Sequence, residues 1–201
     1  MSDKKASPDH PIHNLLAARW SPYAFDDRPI PDADLCSVFE AARWAPSSYN
    51  EQPWSYIVAK RENPEEFQAL LSCLVEGNQV WAKAAPVLAL GIVRLRFVRN
   101  DKANRAAVHD LGLAAGNLLV EATARGLYVH QMIGIVPEKA RDIYKIPEGS
   151  EAWTALAIGY RGDANRLPGP LKERDLAPRQ RKPLREFVFG RTWGKASPIV
   201  S

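Results

Sequence analysis

A chain of 201 residues, 46% of them hydrophobic, is long enough to bury the core of one domain, or of one protomer of an intertwined dimer, and short for two. Cys36 and Cys73 are its only cysteines and neither has a C-x-x-C partner, which argues against a disulfide framework or thiolate metal site and for a reducing cytoplasm. Met1 to Pro11 is polar and carries no secretory pattern, and no apolar run reaches membrane-span length. The net charge of +4 is uneven: residues 161–201 hold ten Lys/Arg against four acids, +6, leaving −2 for the first 160. A basic tail can bind nucleic acid, coat an acidic membrane, give arginines to a phosphorylated small molecule, or simply be a solvated surface.

In chain order, the first eleven residues are expected to be mobile. Ile12, Leu15, Leu16 and Arg19 predict a short amphipathic helix, ended at Pro22. After a loop, Asp32 is expected to cap a helix whose Leu35, Val38, Phe39 and Ala42 share one face, and Pro46 stops it. Residues 55–59 read as a strand. Asn63-Pro64-Glu65-Glu66 opens a helix through about Leu74, with Glu66 reaching back, and residues 86–93 form a strand apolar enough to be buried on both faces. The longest element is a helix over 106–125, closed by Gly126 and apolar around most of its circumference. A strand at 127–131, a helix from Pro137 to Tyr144 and a strand at 154–160 complete the regular elements. About four strands with about five helices give an α+β or α/β fold with a small sheet. Beyond Gly162 the chain reads as a mostly irregular, proline-punctuated arm, whose Phe187, Phe189 and Trp193 are too apolar to be left in water.

The histidines form no metal-ligand pair, and there is no G-x-S-x-G elbow, phosphate-binding Walker loop or strand-linked G-x-G-x-x-G. Three separated sets of residues remain: Arg19-x-Ser21, Ser47-Ser48-x-Asn50 and Arg179-x-Arg181. Guanidinium forks with a hydroxyl suit a phosphate, and amide-like groups suit the pyrimidine edge of a flavin. The sets fit FMN, while each alone also fits ordinary loops and a charged surface. The loop from Ala45 to Trp54, stiffened by Pro46 and Pro53 and anchored by Trp54, is the strongest of these signals.

Taken together, Arg19-Trp20-Ser21-Pro22-Tyr23-Ala24-Phe25, Ala45-Pro46-Ser47-Ser48-Tyr49-Asn50-Glu51-Gln52-Pro53-Trp54, the helix carrying Asp110, Gly112, Ala114 and Asn117, and Ile158-Gly159-Tyr160 resemble the flavin-dependent nitroreductase family in order and spacing, from about Ile12 to Trp193. The resemblance implies an α+β fold over the whole chain as one FMN-binding domain: a central, mostly antiparallel sheet ringed by helices, in an intertwined homodimer that exchanges its C-terminal arms (161–201). It implies FMN as cofactor, with Arg19 and Ser21 on the phosphate, Trp20 contributing its backbone, Tyr23 beside them, and Arg179 and Arg181 closing from the tail. Pro46, Ser47, Ser48 and Asn50 are expected to approach from the other subunit, Asn78 to meet the pyrimidine edge, and Met132, Ile133 and Gly134 to lie near the ring's N5 side. No catalytic side chain and no metal is implied, since the flavin carries the chemistry.

Two positions depart from the family pattern. Tyr23 stands where many members have Arg or Lys, and Trp81 where some have a lysine. The expected activity is transfer of hydride from NADH or NADPH to a small organic acceptor, such as a nitroaromatic or quinone, by a ping-pong route in the cytoplasm, with no nucleic-acid or membrane partner. The rival readings are a flavin-dependent substrate dehydrogenase that uses oxygen, a flavin-binding protein without turnover, and a nucleic-acid binder using the basic tail. The last is disfavoured because the tail's aromatics cluster instead of alternating with its charges.

Overall fold

The computed structural model describes residues 4–200. Among them are four strands and seven α-helices: α1 (Asn14–Ala18), α2 (Asp32–Arg43), β1 (Trp54–Lys60), α3 (Pro64–Leu71), α4 (Glu76–Ala82), β2 (Val87–Arg94), α5 (Ala107–Ala124), β3 (Tyr128–Met132), α6 (Pro137–Tyr144), β4 (Ser150–Gly159) and α7 (Gly169–Leu176). The sheet is antiparallel throughout, in the order β1-β2-β4-β3. The fold is α+β with an antiparallel sheet, the one of the two classes left open by the strand and helix signals that the family resemblance implies.

β2 is buried along nearly its whole length because helices cover both faces of the sheet. Val87 and Ala89 point to one face with Leu156 and Ile158 of β4, where Leu35 and Val38 of α2 and Ala114 and Leu118 of α5 meet them. Leu88, Leu90 and Ile92 point to the other, against Phe67, Leu70 and Leu71 of α3 and Trp81 of α4. This period-two partition makes a three-layer molecule. A register shift between Gly91 and Ile92 carries β4 back to Ser150, four residues before the start that alternation predicts.

Three local expectations are corrected. Asp32 is the first helical residue and Pro31 occupies the cap position, so the aspartate acts through its charge at the helix start. Glu66 contacts the Asn63 side-chain amide at 3.3 Å, with no side-chain cap from Asn63. The helices number seven among the described residues, because α4 and α7 add to the five that periodicity marks. Gly126 has φ +70°, the left-handed turn expected after α5.

The tail divides into two parts. Residues 163–181, with α7, lie on the same chain's N-terminal region, as the contacts of Asp175 and Arg179 show. From Pro183 to Val200 the backbone hydrogen bonds join residues of that segment to one another, and Phe187, Trp193 and Ile199 are exposed. No helix among the described residues is long and apolar enough to cross a membrane.

Leu118 is fully buried between α2 and the sheet. Leu118→Ala should therefore lower the unfolding free energy by about 2–5 kcal/mol, read as a shift in the urea midpoint at unchanged slope. A loss under about 0.5 kcal/mol, the level of a surface substitution, would contradict this packing.

Candidate functional site

The residues singled out in the sequence fall into two groups at opposite ends of α5. The first surrounds Trp20, which is buried and packs edge-on against Tyr128, just past the helix's C-terminal end. Arg19 Nη1 donates to Ser21 Oγ at 3.3 Å. Burial is the largest influence lowering the Arg19 pKa, and the charges of Arg179 and Arg181 add to it, so three guanidiniums share one neighbourhood. Arg179 is also lowered, first by burial and then by Arg181. None of the three forms an ion pair with a carboxylate among the described residues. Clustered cations without a counter-charge raise the free energy of the fold unless an anion joins them. The residues present therefore fit a phosphate group.

Two members of this cluster escape the sequence reading. Lys4 Nζ lies 4.4 Å and Arg161 Cζ 5.1 Å from the Trp20 ring centroid. Nothing in the spacing of Lys4 marks it, but Arg161 directly succeeds the Ile158-Gly159-Tyr160 signal, and that adjacency is visible in the sequence.

Further along β3 lie Asn78 and the residues 132–134. Asn78, on α4, donates its Nδ2–H to Gly134 O at 3.0 Å, and Val75 N–H donates to the same carbonyl at 3.1 Å. A Cβ on Gly134 would stand 2.6 Å from Asn78 Nδ2 and 2.9 Å from Val75 Cγ2, so a side chain there would push the Asn78 amide from its bond. Met132 is buried, and Ile133 is 81% exposed. Four residues of strand, about 13 Å, separate Met132 from Tyr128.

Between them sits Tyr23. Its ring is 5.1 Å from Trp81 at 85° and 4.7 Å from His130, and Trp81 is 4.4 Å from His130. The two positions that depart from the family pattern thus touch each other. Cations at both would repel; an aromatic pair packs edge to face.

The second group, Pro46 to Asn50, lies elsewhere. Ser48 N–H donates at 3.0 Å to Asp110 Oδ2, a buried carboxylate in the first turn of α5, and Ser47 Oγ accepts from Gln52 N–H at 3.0 Å. Tyr49, Asn50 and Gln52 have φ of 55°, 55° and 47°, a conformation costly for side-chain-bearing residues that the Asp110 and Ser47 bonds hold in place. From Asp110 to Ala124 the helix rises about 21 Å. The loop also leads into β1, at the opposite sheet edge from β3, three strand spacings or about 14 Å away. Within one chain, then, Arg19, Trp20, Ser21, Tyr23, Arg179 and Arg181 come together with Asn78 and Met132-Ile133-Gly134 beyond them, while Pro46, Ser47, Ser48 and Asn50 do not join them.

Comparison with known proteins gives the class. The family model described as "Nitroreductase family" matches residues 16–160, and the chain belongs to that family. A solved structure described as an oxidoreductase containing FMN superposes with a TM-score of 0.89 at 34% identity, covering 96% of this chain and 98% of its own. A protein of Archaeoglobus fulgidus with the provisional name NADH dehydrogenase/NAD(P)H nitroreductase is 26% identical over 154 residues, 74% of this chain and 84% of that relative. A nitroreductase-family structure from Clostridium difficile, at 23% identity and TM-score 0.69, covers 89% of this chain and 96% of its own, and shares the fold.

His130 gives the site a pH signature. Its Nδ1 lies 2.8 Å from Pro22 O, and since a carbonyl only accepts, Nδ1 carries the proton. Burial, the largest effect, lowers its pKa below 6.5, against the opposing pull of that bond and of Asp175. The unfolded chain takes up the proton first as pH falls, so stability is lost from about pH 6.5 downward through the lowered folded value. His130→Gln should lose less stability than the parent between pH 7 and about pH 5.5, measured by urea unfolding. Equal losses in the two proteins would contradict this assignment.

Proposed function

We propose that this chain is an FMN-dependent oxidoreductase that takes hydride from NADH or NADPH and reduces a small organic acceptor, such as a nitroaromatic or quinone, by a ping-pong route. The observation that carries the reading is the set of three unpaired guanidiniums at Arg19, Arg179 and Arg181, next to Ser21 and one strand-length from the Asn78–Gly134 contact. Family membership and the FMN-containing neighbour support it.

In this reading Arg19, Ser21 and Arg181 hold the phosphate, with Arg179 beside them and the Trp20 backbone closing one side. Tyr23 stands between the phosphate and ring ends. Asn78 and Met132-Ile133-Gly134 face the ring, whose two-electron chemistry, accepting hydride from the nicotinamide and passing it on, is supplied by bound FMN. The chain orients the reactants and keeps water out, and no side chain serves as nucleophile.

Pro46, Ser47, Ser48 and Asn50 complete the site from a second subunit, because α5 keeps this loop away from its own chain's arginines. The protein is accordingly a homodimer. Its arms are exchanged over the segment after Lys182, where the exposed Phe187, Trp193 and Ile199 have apolar area to bury on a partner. The free Cys36 and Cys73 suit a reducing cytoplasm.

The purified protein should bind FMN and its visible absorption should bleach with NADH or NADPH without oxygen. Arg19→Ala and Arg181→Ala should each raise the FMN dissociation constant about ten- to a hundredfold, the range for one hydrogen bond to a charged group, by fluorescence titration. Unchanged constants in both variants would remove the arginine cluster from the phosphate.

A further inference from the structure

Arginines on a tail must be held before they can be aimed at a phosphate. α7 ends at Leu176, and Asp175, one residue inside that end, is 1% exposed. Its Oδ1 accepts from Tyr23 N–H at 2.6 Å and from Ala24 N–H at 3.3 Å, tying α7 to the chain just past Ser21. Four residues on, Arg179 Nη1 donates to Ala17 O at 2.6 Å and to Lys4 O at 3.0 Å. Lys4 closes the circuit: its Nζ donates to Asp175 O at 2.5 Å. Ala6 N–H donates to Ala17 O at 2.8 Å, fixing the same N-terminal segment to α1.

These bonds divide the labour between the two tail arginines. Arg179 spends Nη1 on two backbone carbonyls and works as a strut. Among the described residues Arg181 makes one hydrogen bond, to the adjacent Gln180 O, and its guanidinium can turn to an anion. Among the described residues, Asp175 Oδ2 has no hydrogen-bond partner, and it is buried. A buried carboxylate with one oxygen unsatisfied is a costly way merely to dock a helix, which apolar residues would do better. Its geometry is explained if its task is to fix the position of the segment from Ala177 to Arg181.

We infer that Asp175 is a positioning residue for the phosphate site, acting through Arg181, with Lys4 as a second clasp that joins the two ends of the chain over that site. The inference rests on the proposed FMN function. In it, cofactor retention depends on residues that do not touch the cofactor.

The test is a double-mutant cycle on the FMN dissociation constant of the full chain, using Asp175→Ala, Arg181→Ala and the double variant. Each single change should raise the constant about tenfold or more. The double variant should exceed the worse single by less than about threefold, because an unlatched Arg181 has little left to lose. Asp175→Asn, which keeps the acceptor for both N–H groups, should bind within about threefold of wild type. A second cycle with Lys4→Ala, a change in the terminal segment, gives the same reading if Asp175→Ala does not fold. Multiplicative losses in the cycle, or an Asp175→Asn variant as weak as Asp175→Ala, would overturn the latch. A wild-type protein that binds no FMN would overturn both this inference and the function under it, whereas wild-type binding with multiplicative losses overturns the latch alone.

Discussion

The 18-residue helix α5, laid against one face of the sheet, sets the distance on which the site depends. Its first turn holds Asp110, which fixes the Ser48 loop, and its far end delivers the chain to Tyr128, on which Trp20 packs. Leu111, Ala114, Leu118 and Ala122 are buried along its length, so neither end can move toward the other without dismantling the core. The arginine cluster and the strained loop are thereby held apart in one chain. A site that needs both has to draw them from two chains. Gly112 and Gly116 on the same helix would meet nothing within 4 Å if each carried a Cβ, leaving the small-residue face open for close approach.

The second constraint is electrostatic. Around Trp20 the chain gathers Lys4, Arg19, Arg161, Arg179 and Arg181, and the buried acid nearby, Asp175, turns its carboxylate to backbone N–H groups instead of to the arginines. The aromatic group of Tyr23, Trp81 and His130 begins where this charge ends. With neutral rings at both Tyr23 and Trp81, positive charge stays concentrated around Trp20.

The elements legible in the sequence are those whose apolar periodicity is strong. α5, α2 and β2 present continuous apolar faces, and their existence and type are plain from composition alone. α7 is invisible for a physical reason: its buried residue is an aspartate, and the rest of GPLKERDL carries no apolar stripe. α4 is hidden by length and by Gly77 and Asn78 within seven residues, although it carries Asn78 to Gly134. Local pattern gives the arginine cluster only as separate sets, since bringing Arg19 to Arg181 requires the tail to fold back; it is the family resemblance that draws them to one phosphate. Lys4 has no signal at all, because its role depends on a neighbour 171 residues away.

The claim on which the account turns is that each site is assembled from two chains, and complementation between inactive variants measures it directly. One variant would lose the phosphate half (Arg19→Ala with Arg181→Ala), the other the loop half (Ser48→Ala with Asn50→Ala), and the two would be mixed, unfolded and refolded together. A mixed dimer pairs the intact arginines of one subunit with the intact loop of the other, so an equal mixture should recover about a quarter of the wild-type FMN-binding sites at wild-type affinity. Recovery of none, with mixed dimers demonstrated by mass, would show that each chain builds its site alone and would contradict the account.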